Sequence, residues 1–168
     1  MTDRAVHPAL LAPPGPASRT GIIIIASVLI ADQIAKWVAQ AALDWNTPID
    51  VLPFLGLYLT TNPGIAFSFL RGSNTALLLG AVVVITLLVL FFWARARDGG
   101  RLAALGFGLI VGGAVGNIVD RIIYGHVIDF LRLFLGDRTF FVFNLADVAL
   151  TFGPIILVLA YLRVPRSA

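Results

Sequence analysis

Cysteine is absent from this 168-residue chain, and so is glutamate: all nine acidic residues are aspartate. Lysine occurs once, at Lys36, and histidine only at His7 and His126. Disulfides, thiol nucleophiles and iron–sulfur ligation are therefore excluded, and two histidines leave no ordinary zinc cage. Charge of either sign is scarce too, at 12% of residues, where a soluble domain carries roughly 25%. What fills the space is apolar: 59% of residues are hydrophobic and the mean hydropathy is +0.95. One small domain cannot hide that excess in a core, so much of it must face lipid. The isoelectric point near 10.0 rests on a net charge of only +3. The basic residues form no stripe with interleaved aromatics, which argues against a nucleic-acid partner and leaves the excess to be read as membrane topology.

A helix needs about 20 mostly apolar residues to cross a bilayer core. Four stretches qualify, at about residues 21–42, 73–94, 102–119 and 144–162. The second is the cleanest, with 23 uncharged residues between Arg71 and Arg95. The third is rich in glycine, and the fourth carries Gly153-Pro154 in its middle, where a kink is tolerated if neighbours satisfy the freed carbonyl. The expected fold is an all-α integral membrane protein of four helices spanning residues 20–163. Residues 1–19, rich in Pro and Ala, read as a disordered cytoplasmic tail rather than a cleavable signal, and 164–168 as a second tail. Arg4, Arg19, Arg95, Arg97, Arg101, Arg163 and Arg166 fall on one side, which the positive-inside rule makes cytoplasmic. Both termini then lie inside, and the long connections 44–73 and 120–143 lie outside. The first of these, VLPFLGLYLTTNPGIAFSFL, reads as two short strands around an Asn62-Pro63-Gly64 turn, a small β-hairpin platform resting on the membrane.

Charges in or beside a membrane are costly, so each asks for a reason. Asp32 and Lys36 stand four apart, the spacing of a pair on one helix face. They read as a self-neutralising pair that eases insertion, with a direct chemical role as the alternative. In GGAVGNIVDRIIYGHVIDFL, residues 112–131, the small residues permit close backbone approach. Asn117, Asp120 and Arg121 then gather at the outer boundary. Asp120 and Arg121 suit a helix end, but that does not explain Asp129, set between Ile128 and Phe130. In FNLAD, Asn144 is a good N-cap and Asp147 sits where a capping box places its acid. Yet Asp129 and Asp147 both lie beside apolar residues at the same boundary. Brought together, two carboxylates share a proton, and a half-protonated pair can hydrolyse a peptide: the ionised member draws a proton from water while the neutral one donates to the carbonyl oxygen.

Four blocks in order, DQIAK at 32–36, TNPGIAFS at 61–68, GGAVGNIVDR with GHVIDF, and FNLADVALTFG at 143–153, resemble the lipoprotein signal peptidases, or type II signal peptidases, over nearly all of residues 21–162. These are intramembrane aspartic proteases of bacteria. The resemblance implies Asp129 and Asp147 as the catalytic pair, Asn62, Asn117, Arg121 and Asn144 as substrate-contacting residues, and Asp32, Lys36, Asp120 and Gly64 in support. It implies removal of the signal peptide from a prolipoprotein, just before a cysteine bearing diacylglycerol, with membrane lipids as surroundings, a monomer in the bacterial cytoplasmic membrane, and no metal or organic cofactor. Three rivals remain: a purely structural membrane scaffold, against which the polar cluster counts, a serine–lysine protease using Ser68 and Lys36, and a small transporter or proton relay. The last calls for charges spread through the bilayer depth, whereas here all but Asp32 and Lys36 gather at one face.

Overall fold

A computed structural model describes residues 11–64 and 75–164. Four helices, α1 (Arg19–Ala42), α2 (Thr75–Arg95), α3 (Gly100–Tyr124) and α4 (Leu145–Leu162), are each long and apolar enough to cross a membrane. Between them lies one antiparallel sheet of order β1 (Ile49–Leu52), β2 (Leu55–Asn62), β3 (Val127–Leu135) and β4 (Arg138–Phe143).

The central helix is α3, most of whose apolar span is buried, while the other three leave most of theirs uncovered. Leu77 and Trp37, 71% and 70% exposed, have the exposure expected of side chains that meet lipid. Glycines let α3 take neighbours on two sides. A Cβ at Gly112 would lie 2.7 Å from Val28 Cβ on α1, and one at Gly113 would lie 2.5 Å from the Ala146 carbonyl on α4. Without hydrophobic drive between helices in lipid, such close packing is what holds a bundle together. The α2 helix packs on α3, where Trp93 stacks on Phe107 with ring centroids 5.7 Å apart.

The structure corrects the sequence expectations in several places. Residues 11–18 are not a loose tail: the Trp93 Nε1–H donates to the Pro14 carbonyl at 2.9 Å and the Gly100 N–H to the Leu11 carbonyl at 2.9 Å. This strap leads into α1, whose first turn is capped by the Ser18 hydroxyl accepting from the Gly21 N–H. The hairpin of the first connection turns at Pro53-Phe54, between Leu52 and Leu55, while Asn62 ends the second strand and leads into the Pro63-Gly64 bend. The second strand expected beyond Gly64 falls outside the described residues. The sheet, moreover, draws β3 and β4 from the second long connection, joined across Gly136-Asp137 with Gly136 at φ +56°. The third helix also runs on to Tyr124 and ends at Gly125, φ +77°, which places Asp120 and Arg121 within α3. Backbone pairing sets Thr60 opposite Asp129 and Asn62 opposite Val127, so Asn62 is the diagonal neighbour of Asp129 on one face.

Candidate active site

At the sheet end of the bundle, Asp129 on β3 and Asp147 in the first turn of α4 converge on a shared set of amides. Asp129 is 1% exposed. Its Oδ1 accepts from Asn144 Nδ2 at 2.7 Å and its Oδ2 from Asn62 Nδ2 at 2.9 Å. The Asn62 amide is itself aimed by Gly64, whose N–H donates to Asn62 Oδ1 at 3.0 Å. Gly64 holds φ +114°, a backbone region that side-chain-bearing residues seldom enter.

Asp147 accepts from Asn117 Nδ2 at 2.9 Å through Oδ1. Its Oδ2 accepts from the Asn144 N–H at 3.3 Å while Asn144 Oδ1 accepts from the Asp147 N–H at 3.0 Å, a reciprocal capping box. The helix-capping role is therefore real, and it coexists with the site: the cap takes one carboxylate oxygen and fixes the plane of the group, leaving the other turned to Asn117. Asn144 is fully buried and also donates toward Asn117 Oδ1 at 3.2 Å.

Burial raises the Asp129 carboxyl to about 6, and the nearby Asp147 charge pushes the same way. The hydrogen bonds from Asn62 and Asn144 and the charge of Lys36 oppose the shift without cancelling it. Desolvation and a like charge are the two causes that keep a carboxylic acid protonated toward neutral pH.

Arg121 lies one helical turn beyond Asn117, and one of its terminal nitrogens donates to the Asn117 carbonyl at 3.1 Å. Its Nε–H is buried with no hydrogen-bond partner among the described residues, an expense that a bound acceptor would relieve. Lys36 is ion-paired with Asp32 at 2.7 Å, as the spacing predicts, and with Asp120 at 2.8 Å, which the spacing does not reveal. Lys36 is thus engaged by two carboxylates, and Ser68, its partner in the serine–lysine reading, lies outside the described residues. Among the described residues no three His, Cys, Asp or Glu side chains are grouped to hold a metal ion.

The residues singled out in the sequence thus lie in two contiguous layers, the amides and Arg121 around the aspartate pair and Asp32, Lys36 and Asp120 behind it. Gln33, which sequence reasoning passed over, belongs to the second layer: its Nε2 donates to Asp120 Oδ1 at 3.0 Å. Its place beside Asp32 on a membrane helix was the available signal.

The profile of the family described as signal peptidase (SPase) II matches residues 24–163. The chain belongs to the signal peptidase II family. It is 38% identical over 131 residues to a lipoprotein signal peptidase of Sinorhizobium fredii, covering 78% of this chain and 79% of that one. A lipoprotein signal peptidase of Brucella ovis is 37% identical over 137 residues, covering 82% and 85%. Among solved structures, a bacterial membrane enzyme determined in meso at 1.9 Å superposes with a TM-score of 0.76 at 26% identity, over 92% of this chain and 99% of that one. A second such structure at 2.3 Å gives 0.74, also at 26% identity, over 88% and 93%. A signal peptidase II is a protease, so the chain is one that cleaves prolipoprotein signal peptides, and the transporter reading is not favoured.

Proposed function

We propose that the protein is an intramembrane aspartic endopeptidase that removes signal peptides from bacterial prolipoproteins, cutting just before a diacylglyceryl-modified cysteine, with Asp129 and Asp147 as the catalytic pair. The observation that carries this reading is the convergence of two carboxylates from different elements on the linked amides of Asn117 and Asn144. One carboxylate stays ionised and accepts a proton from water as its oxygen attacks the scissile carbonyl; the other, protonated, donates to the carbonyl oxygen. As the C–N bond breaks, the proton taken from water passes to the leaving amine, and the hydroxyl formed from the carbonyl oxygen returns its proton to the second carboxylate as the C=O bond re-forms, which restores the pair. The raised Asp129 carboxyl favours a pair that holds one proton between its two members.

Asn62, Asn117, Asn144 and Arg121 orient the substrate, and the unpartnered Arg121 Nε–H is the donor for a peptide carbonyl. A lipid-bearing cysteine enters sideways from the bilayer, and the sheet covers the site at the outer face of the cytoplasmic membrane. The arginine distribution supports cytoplasmic termini, and the enzyme acts as a monomer without a metal or organic cofactor. The test is incubation of the purified protein with a precursor peptide carrying the lipidated cysteine and with its unlipidated counterpart. Cleavage of the lipidated peptide alone is expected. Cleavage of neither removes the reading, and equal cleavage of both removes the lipid requirement.

A further inference from the structure

Asp32 and Asp120 each grip the backbone one residue ahead of a member of the aspartate pair. Asp32 Oδ1 accepts from the Ala146 N–H at 2.9 Å, directly before Asp147. Asp120 Oδ2 accepts from the Ile128 N–H at 3.1 Å, directly before Asp129. Lys36 Nζ joins the two carboxylates at 2.7 and 2.8 Å. Gln33 Nε2 spans them as well, donating to Asp32 Oδ2 at 3.2 Å and Asp120 Oδ1 at 3.0 Å. Asp32, Lys36 and Asp120 are 0%, 2% and 1% exposed.

Charge balance does not account for this arrangement. One carboxylate neutralises one ammonium, and the second is buried without a salt bridge to a further cation, the Arg121 charge lying near Asp120 but not paired with it. What the second carboxylate gains is a hold on a second element. Asp32 is tied to α4 and Asp120 to the start of β3, and these are the two elements that carry Asp147 and Asp129. Lys36 also donates to Asn117 Oδ1 at 3.2 Å, which turns Asn117 Nδ2 toward Asp147. Room for the Asp32 arm is cut into α3: a Cβ at Gly116 would lie 2.7 Å from Asp32 Oδ2.

We propose that Asp32, Lys36 and Asp120 form a buried brace that sets the separation of Asp129 and Asp147. The proposal rests on the reading of that pair as catalytic, and the three brace residues are positioning residues, since they act on the pair through neighbouring backbone N–H groups and Asn117. Removing one carboxylate leaves Lys36 paired with the other, so a single substitution strands no charge and the bundle retains its fold. The separation of two carboxylates governs how strongly they share a proton, and so how far apart the two limbs of the pH–rate profile stand. The charged groups around the pair are Lys36 and Asp32 on α1 and Asp120 and Arg121 on α3. Loss of a nearby negative charge alone moves both limbs together, whereas a changed spacing changes the distance between them.

The experiment measures kcat, KM and the pH–rate profile of D32A, D120A and the double variant on the lipidated precursor, per molecule of folded, membrane-inserted enzyme, with D129N as the inactive reference. A fall in kcat of about 10- to 100-fold for each single variant, with KM close to wild type and the two limbs drawn together, supports the brace. Unchanged kcat per folded molecule, a loss confined to KM, or a joint shift of both limbs at undiminished maximum rate overturns it. Failure of the catalytic reading is separate: it appears as an inactive wild type or an active D129N enzyme.

Discussion

The side chains of Asn144 and Asn117 meet at 3.2 Å, and through that contact Asp129 and Asp147 are connected, each bonded to a different amide of the two. An amide can donate on one side and accept on the other, so the bridge aims a donor at one oxygen of each carboxylate, Asp129 Oδ1 and Asp147 Oδ1.

Substituting either member of the pair by asparagine is expected to abolish cleavage, because an amide keeps the size and cannot pass the proton. The double variant is expected to be no worse than either single one, since groups acting as a unit are far from additive. In the D147N variant the new amide would still serve the helix end in part, so the protein remains folded. Cleavage by an inserted D147N enzyme would confine Asp147 to its capping role.

Asp129 also links pH to stability. Its carboxyl is about 6 in the folded protein against 3.8 ordinarily, so between those values the folded state binds more protons than the unfolded one. Stability therefore falls as pH rises from about 4 to about 6 and levels off above, by on the order of 3 kcal/mol for this group. Melting curves across that range check it: the midpoint of wild type relative to D129N should decline with rising pH, and a constant difference would contradict the raised value.

Arg121→Lys is expected to impair cleavage by at least about 10-fold while leaving the protein folded, because lysine keeps the charge but has no counterpart of the buried Nε–H. Kinetics on the lipidated precursor decide it, with wild-type kcat/KM in the variant counting against a role for Arg121.

Gly116→Ala is expected to destabilise the protein by about 1–3 kcal/mol, the usual cost of overpacking, since the added methyl would press on Asp32 Oδ2 at 2.7 Å. A thermal shift assay reads this, and Gly80→Ala, where a Cβ would meet nothing within 4 Å, serves as the harmless control.

Reporter fusions at residues 98 and 136 should lie on opposite sides of the membrane, as the arginine asymmetry requires. The same side for both would overturn the orientation.

Much of this was legible in advance because expensive residues are conspicuous in an apolar chain. Asp129 between Ile128 and Phe130, and Asp147 three residues after Asn144, stood out by contrast with their neighbours, and the helices declared themselves by their lack of charge. Long-range partners of uniform backbone did not. The Ala146 N–H that meets Asp32 lies 114 residues away, and a backbone donor carries no signature in the text. The β3–β4 hairpin had a signal, a Gly-Asp pair between apolar runs, but the isolated charge of Asp129 stood out more strongly in the same stretch.

Asp129 rides on a strand and Asp147 on a helix, so the two halves of the site have different mechanics. The helix is seated by the hydrocarbon around it and answers to bilayer thickness; the strand is seated by its neighbours in the sheet and does not. A thinner or thicker membrane therefore loads the joint between them, and the enzyme's working geometry becomes a property it shares with the lipids in which it is dissolved.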